Sequence, residues 1–284
     1  MNVAAGPLER LARSAERVAS RDRVAEVPRI SLGGLPIALL DRAATADLMV
    51  EAALSRFPQD RPLVMTSANG EVVSRCRSEP GIADLFAQAD LISADGQPLV
   101  IASRLIGGPA LPERVATTDL FNDVAARAEK LGLSFYLLGA TEDENRKACE
   151  NARARFPRLK IVGRSHGYLD QTALERRVAE IDALGPQILW VAFGVPREQE
   201  FCARYARFLR NVRVIKTSGG LFNFLSGSRA RAPEWMQRSG LEWAFRVAQE
   251  PRRLFWRYAV TSPHAIYLLA RSRSLTSQAI GGRP

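Results

Sequence analysis

The chain has 284 residues, 46% of them hydrophobic, a formal charge of +10 and a pI near 10.2. That is enough apolar material for one substantial core, and the basic balance points to phosphate, nucleic acid or an anionic membrane face as partner. Three scattered cysteines with no CxxC pair and only two histidines argue against a zinc, redox or His-rich metal site, and no apolar run approaches the ~20 residues of a spanning helix.

Residues 1–28 are rich in Arg and Ala with acids interspersed (Glu9, Glu16, Asp22, Glu26). They contain no signal-peptide apolar stretch and read as an arm, either a frayed helix or disordered, with no assigned role. Ile30–Leu40, with Leu32-Gly33-Gly34-Leu35 at its centre, reads as a hairpin at a sheet edge, and Thr45–Ser55 as a helix. An α/β rhythm follows. Leu63–Ser67, Leu91–Ala94, Leu133–Leu138, Leu159–Val162, Ile188–Phe193 and Val212–Thr217 read as strands. Helices are expected from Asn69, after Gly96, over Thr118–Leu131, from Thr141, over Thr172–Leu184 and from Pro196. Thr141 and Glu144 form a capping-box pair, and Pro196 suits a first helical turn. This order predicts a Rossmann-like α/β fold, a mostly parallel sheet with helices on both faces.

Composition changes near Ser228. From there to Pro284 the chain carries ten arginines and three acids, with Trp235, Trp243 and Trp256 among them. Residues 29–227 therefore read as the core and 228–284 as a basic helical appendage. Basic and aromatic residues together suit a membrane interface; a helix packed on the core with its Arg stems along apolar surface is the alternative.

Polar or glycine residues close five strands: Ser67 with Asn69, Asp95-Gly96, Gly139-Ala140, Gly194-Val195-Pro196 and Ser218-Gly219-Gly220. Parallel strands put such ends on one side, so the five predict a single crevice. Neither a GxGxxG nor a GxxxxGK[ST] motif is present. Asp95 reads either as the cap of the helix after it or as a general base. Arg114 offers a planar fork for phosphate, or a surface ion pair with Glu113 or Asp119. Gln199 either reaches a ligand or is an exposed helix residue, and His166 reads as a loop histidine.

Asn69-Gly70-Glu71, Ala94-Asp95-Gly96, Pro112–Asp119, His166-Gly167-Tyr168, Phe193–Glu200, Gly219–Gly227, Arg231–Arg238, Gly240–Trp243 and Glu250–Arg253 together resemble the WecG/TagA/CpsF glycosyltransferases. The match runs in order over roughly residues 30–260. The resemblance implies an inverting transferase at the cytoplasmic face of the membrane. It would move a sugar from a UDP-sugar to a polyprenyl-diphosphate-linked saccharide, without cofactor or metal. It implies Asp95 as catalytic base, with Ser67 and Asn69 lining the active site; Ser67 stands where the family usually has threonine. Arg114 is implied near the diphosphate and Gln199 near the nucleotide-sugar, with Gly139, Gly194 and Gly219 in the binding loops. Asn223 stands where the family often has aspartate. Arg246 and Arg253 are the implied site-facing arginines of the appendage.

The chemistry agrees: displacing UDP needs a base for the acceptor hydroxyl and positive charge or helix N-termini for the departing diphosphate. Two rivals are a nucleotide-sugar-binding regulator on the same fold and a nucleic-acid binder. The second lacks any recognised nucleic-acid-binding motif, so no nucleic-acid partner is expected. A homo-oligomer is compatible with the sequence, and the donor sugar is left open.

Overall fold

The computed structural model describes residues 6–8, 11, 20–55, 60–106 and 109–272. Its centre is an eight-stranded sheet of order β1-β2-β4-β3-β8-β7-β5-β6. The strands are β1 (Arg29–Leu32), β2 (Leu35–Ala38), β3 (Leu63–Ala68), β4 (Leu91–Ala94), β5 (Ser134–Gly139), β6 (Lys160–Ser165), β7 (Ile188–Ala192) and β8 (Val214–Thr217). Only β1 with β2 is antiparallel, forming the edge hairpin expected from Gly33-Gly34. The other pairings are parallel. Strands such as β5 and β7 are buried along their whole length, as parallel strands covered on both faces must be.

Helices α1 (Ser20–Ala25), α2 (Arg42–Leu54), α3 (Gly70–Ser78), α4 (Ile82–Ala87), α5 (Gln97–Leu105), α6 (Thr117–Leu131), α7 (Glu142–Arg155), α8 (Gln171–Leu184) and α9 (Arg197–Tyr205) wrap the sheet. On one face Phe121 of α6 packs edge-on against Trp190 at 5.0 Å and Phe135 at 5.9 Å. On the opposite face Phe201 and Tyr205 of α9 pack with Val191 and Ile215. The short helix α4 has no counterpart in the sequence reading, because its six residues are too few to display a period. Thr141 and Glu144 do form the expected capping box on α7. Pro196 precedes α9 as its cap, joined to Val195 by a cis peptide bond, and does not occupy the first turn.

The arm contributes Val24 of α1 to the core, and its Arg21 pairs with Asp90 at 2.8 Å. After β8 come α10 (Leu221–Leu225), α11 (Glu234–Arg238), α12 (Glu242–Gln249) and α13 (Pro251–Ala270). Helix α13 lies along α3 and buries Leu254, Ala265 and Leu269. Its His264 Nδ1 is 2.9 Å from Ser74 Oγ of α3. Just past its C-terminus, Ser272 Oγ accepts from Gly33 N at 2.7 Å. Trp235, Trp243 and Trp256 remain exposed. One side of the appendage packs on the core and the other leaves aromatic rings exposed.

Candidate active site

The ends of β3, β4, β5, β7 and β8 form the floor of a cavity of about 850 Å³, and the segment after β8 forms its roof. Ser67, Asn69, Asp95, Arg114, Gly194, Gly219, Asn223 and Arg246 all line it. Loops at the carboxyl ends of parallel strands are where open α/β sheets bind ligands, so the single crevice read from five strand ends is present.

Asp95 does not cap the helix that follows it. Gly96 is the N-cap of α5, with no side-chain cap bond. The Asp95 carboxylate turns instead to α6: Oδ2 accepts from Thr117 Oγ1 at 2.8 Å and Thr117 N at 3.3 Å, and Oδ1 faces the Arg114 guanidinium at 3.4 Å. Asp95 lines the cavity, where a carboxylate can accept a proton from a hydroxyl within hydrogen-bond reach. Asn69 caps α3, its Oδ1 accepting from Val72 N at 3.0 Å.

Arg114 pairs neither with Glu113 nor with Asp119, the partners expected of a surface role. It is mostly buried and bridges Asp95 to Glu242 of α12. Glu242 also accepts from Arg246 at 2.7 Å. Against the penalty of burial, Arg246 and Arg114 hold the Glu242 carboxylate below its usual range. Burial likewise opposes charge on Arg114, but Asp95 and Glu242 outweigh it and keep the guanidinium firmly protonated. The Arg246 guanidinium lies 5.3 Å from the Phe224 ring centre. Asn223 donates to Glu144, the capping-box acid of α7. The Arg253 side chain lies outside the described residues.

Gly194 and Gly219 adopt positive φ, at 77° and 54°. Their turns point both amides at one buried carboxylate, Glu198 Oε2, at 3.3 and 2.8 Å. Burial pushes the Glu198 carboxyl up in spite of these donors. Two expected members lie elsewhere. Gln199 is neither exposed nor on the cavity: it is 3% exposed and donates to Thr66 Oγ1 at 3.1 Å, behind the floor. Its place one residue after Glu198 turns it to the sheet. Gly139 does not line the cavity either. A Cβ there would stand 2.3 Å from the Ala192 carbonyl oxygen, so the glycine serves the close approach of β5 to β7.

Four polar residues of the site escape the sequence reading: Thr117, Glu198, Glu242 and Lys216. Lys216 is fully buried in β8 and donates to Ser67 Oγ at 2.8 Å and to the Thr217 carbonyl at 2.9 Å. Its one signal in the sequence is a lone charge in the strand run Val214-Ile215-Lys216-Thr217, a place where lysine is rarely buried. Among the described residues, no three His, Cys, Asp or Glu side chains converge as metal ligands.

The profile described as "Glycosyl transferase WecG/TagA/CpsF family" matches residues 30–279. A Bacillus spizizenii protein named N-acetylglucosaminyldiphosphoundecaprenol N-acetyl-beta-D-mannosaminyltransferase is 32% identical over 206 residues, 72% of this chain and 77% of its own length. The Bacillus subtilis protein of the same name is 30% identical over 213 residues, 74% of this chain and 80% of its own length.

Proposed function

This chain belongs to the WecG/TagA/CpsF family of glycosyl transferases, and from that membership we propose that it transfers a hexose-type sugar, with inversion, from a UDP-sugar to a polyprenyl-diphosphate-linked saccharide. The product feeds a surface or extracellular polysaccharide. In the reaction the acceptor hydroxyl oxygen forms the new bond to the anomeric carbon, and the bond from that carbon to the diphosphate breaks. The proton passes to Asp95 and the electron pair leaves on UDP. One observation carries this reading: Asp95 stands at a strand end in the cavity, its Oδ2 fixed by Thr117 and its Oδ1 beside Arg114. Arg114 and Arg246, both lining the same cavity, supply the positive charge that a departing diphosphate requires.

Work at the membrane surface is part of the proposal. No described helix is long and apolar enough to cross a membrane. Trp243, Phe255 and Trp256 are exposed on a segment that also exposes Arg252 and Arg271, a pairing that suits the headgroup level of a bilayer.

The test is incubation with a panel of UDP-sugars and lipid-diphosphate-sugar acceptors, with products identified by mass. A glycosylated lipid product supports the assignment. Tight UDP-sugar binding without turnover on any acceptor overturns it in favour of a regulatory binding protein.

A further inference from the structure

Lys216 is a buried charge beside the site to which the transfer chemistry above gives no part. It sits in β8 opposite Met65 of β3 and Trp190 of β7, and it does not line the cavity. Burying an ammonium is expensive unless its protons are accepted. Here the acceptors are the Thr217 carbonyl and Ser67 Oγ, and Ser67 does line the cavity.

The hydrogen-bond inventory gives this contact a direction. An ammonium only donates, so Ser67 Oγ accepts from Lys216. The Thr117 hydroxyl has one proton, and at 2.8 Å from Asp95 Oδ2 that proton goes to the carboxylate. Ser67 Oγ and Thr117 Oγ1 are 3.4 Å apart. With the Thr117 proton committed, only Ser67 can donate across that gap. The donors then run one way, from Lys216 through Ser67 and Thr117 to Asp95 Oδ2.

We propose that Lys216 is a positioning residue for sugar transfer: its ammonium orients the Ser67 and Thr117 hydroxyls so that Asp95 Oδ2 stays occupied by a short-range donor and the acceptor's proton goes to Oδ1, which Arg114 contacts only at 3.4 Å. This rests on the transferase reading above. A neutral amine at the same place has a lone pair, so Ser67 can donate back to it and the order is lost. Burial pushes the Lys216 amine down to about 8, against the opposing pull of the Asp95 and Glu198 carboxylates and the Cys202 thiol. Asp95 acts on it from the loop after β4, Glu198 and Cys202 act on it from α9, and Arg114 pairs with Asp95. The neighbours on β3 and α6 that complete the chain, Ser67 and Thr117, do not titrate.

The test compares wild type, Lys216→Met, Ser67→Ala and the double variant on the active donor and acceptor pair. Met matches the lysine stem in length and removes the charge without leaving a buried polar atom. Lys216→Met should lose ~10–100-fold in kcat, the scale of a preorganised electrostatic contact, with donor KM within about twofold because Lys216 lines no part of the cavity. The double variant should fall no further than the lower single one. Wild-type kcat should decline above about pH 8, and that limb should vanish in Lys216→Met. A variant with wild-type kcat, an effect confined to KM, additive losses, or a persisting limb each overturns the proposal. A second measurement separates it from the function itself. Nitrogen-15 NMR of the Lys216 side chain should show a lower midpoint in Asp95→Asn than in wild type, whether or not any sugar is transferred. An unchanged midpoint overturns the coupling. Failure of wild type on every donor and acceptor, with the midpoint shifted, overturns the transferase reading while leaving the coupling in place.

Discussion

The floor and the roof of the cavity are built on different principles. The floor comes from the ends of β3, β4, β5, β7 and β8, where backbone amides, a hydroxyl and a buried ammonium satisfy polar groups at short range: Gly219 and Gly194 on Glu198, Thr117 on Asp95, Lys216 on Ser67. The roof comes from helices after β8 and is joined to the floor by ion pairs such as Arg114 with Glu242, while Arg229 with Glu250 ties the roof to itself. The difference teaches where rigidity and adaptability reside. A strand end fixes a carboxylate through the sheet itself, whereas a guanidinium swung in on a helix can exchange a carboxylate for a phosphate with the same fork geometry. In the proposed reaction, proton transfer then falls to the rigid side and diphosphate recognition to the exchangeable one.

The sharpest way to break this division is to remove the floor's proton acceptor. Asp95→Asn should cost ~100-fold or more in turnover, the range of a lost general base, while UDP affinity stays within a few-fold of wild type; steady-state rates and calorimetric UDP titration check both halves. In the roof, Arg246→Met should weaken UDP binding by ~10–100-fold, the loss of one charge-assisted bond of ~1.5–3 kcal/mol, as read by the same titration. A floor variant that lowered UDP affinity as much as Arg246→Met would erase the distinction.

Stability offers a smaller contrast. Lys216→Met should raise unfolding free energy at pH 7, because burial disfavours the charged amine more than its neighbouring carboxylates favour it. In wild type the folded amine releases its proton near 8 and the unfolded one near 10.5. Between those values the folded protein binds fewer protons, so stability should climb with pH across that window, in the same range where activity falls. Denaturant titrations at pH 7, 8 and 9 read this slope, which should be absent from Lys216→Met. The outer side of the roof gives a weaker effect: Arg271→Glu should reduce binding to anionic vesicles by ~5–25-fold at physiological salt, from ~1 kcal/mol per basic charge removed and the repulsion of the acid introduced. Arg273 lies outside the described residues. The smallest effect expected is that of EDTA, which should leave turnover unchanged if arginines alone carry the leaving diphosphate; activity restored only by added magnesium would refute that account.

Much of the floor is legible in the sequence because local signals agree there. Apolar runs end in small polar residues at each strand, and Thr141 with Glu144 announces a helix start that the structure keeps. Asp95 is ambiguous in the sequence, since a carboxylate before a helix looks the same whether it caps that helix or reaches another; only the long-range contact with Thr117 decides. Gln199 is misplaced by sequence reasoning because a one-residue difference on a helix turns a side chain from cavity to sheet, with Glu198 taking the outer position. Lys216 escapes notice because its strand reads as apolar without it. The roof is least legible: its ion pairs to the floor join residues more than a hundred positions apart, such as Arg114 and Glu242, and no periodicity encodes such a partner.

Helix α13 has a mechanical consequence. Its twenty residues span roughly 30 Å. One end, at Leu254, borders the cavity, and beyond the other Ser272 is tied to Gly33 in the edge hairpin. Between them His264 and Ala265 rest on α3, the helix whose first turn begins at Asn69 in the cavity floor. The arrangement is a beam resting on a fulcrum, with the catalytic pocket beneath one arm. A tilt of about four degrees about that fulcrum, roughly 16 Å from Leu254, displaces the cavity end by ~1 Å, and a misplacement of that size can cost ~100-fold in rate. A surface that engaged the exposed rings of α13 would therefore have leverage over the geometry of the proposed reaction without touching a reacting atom.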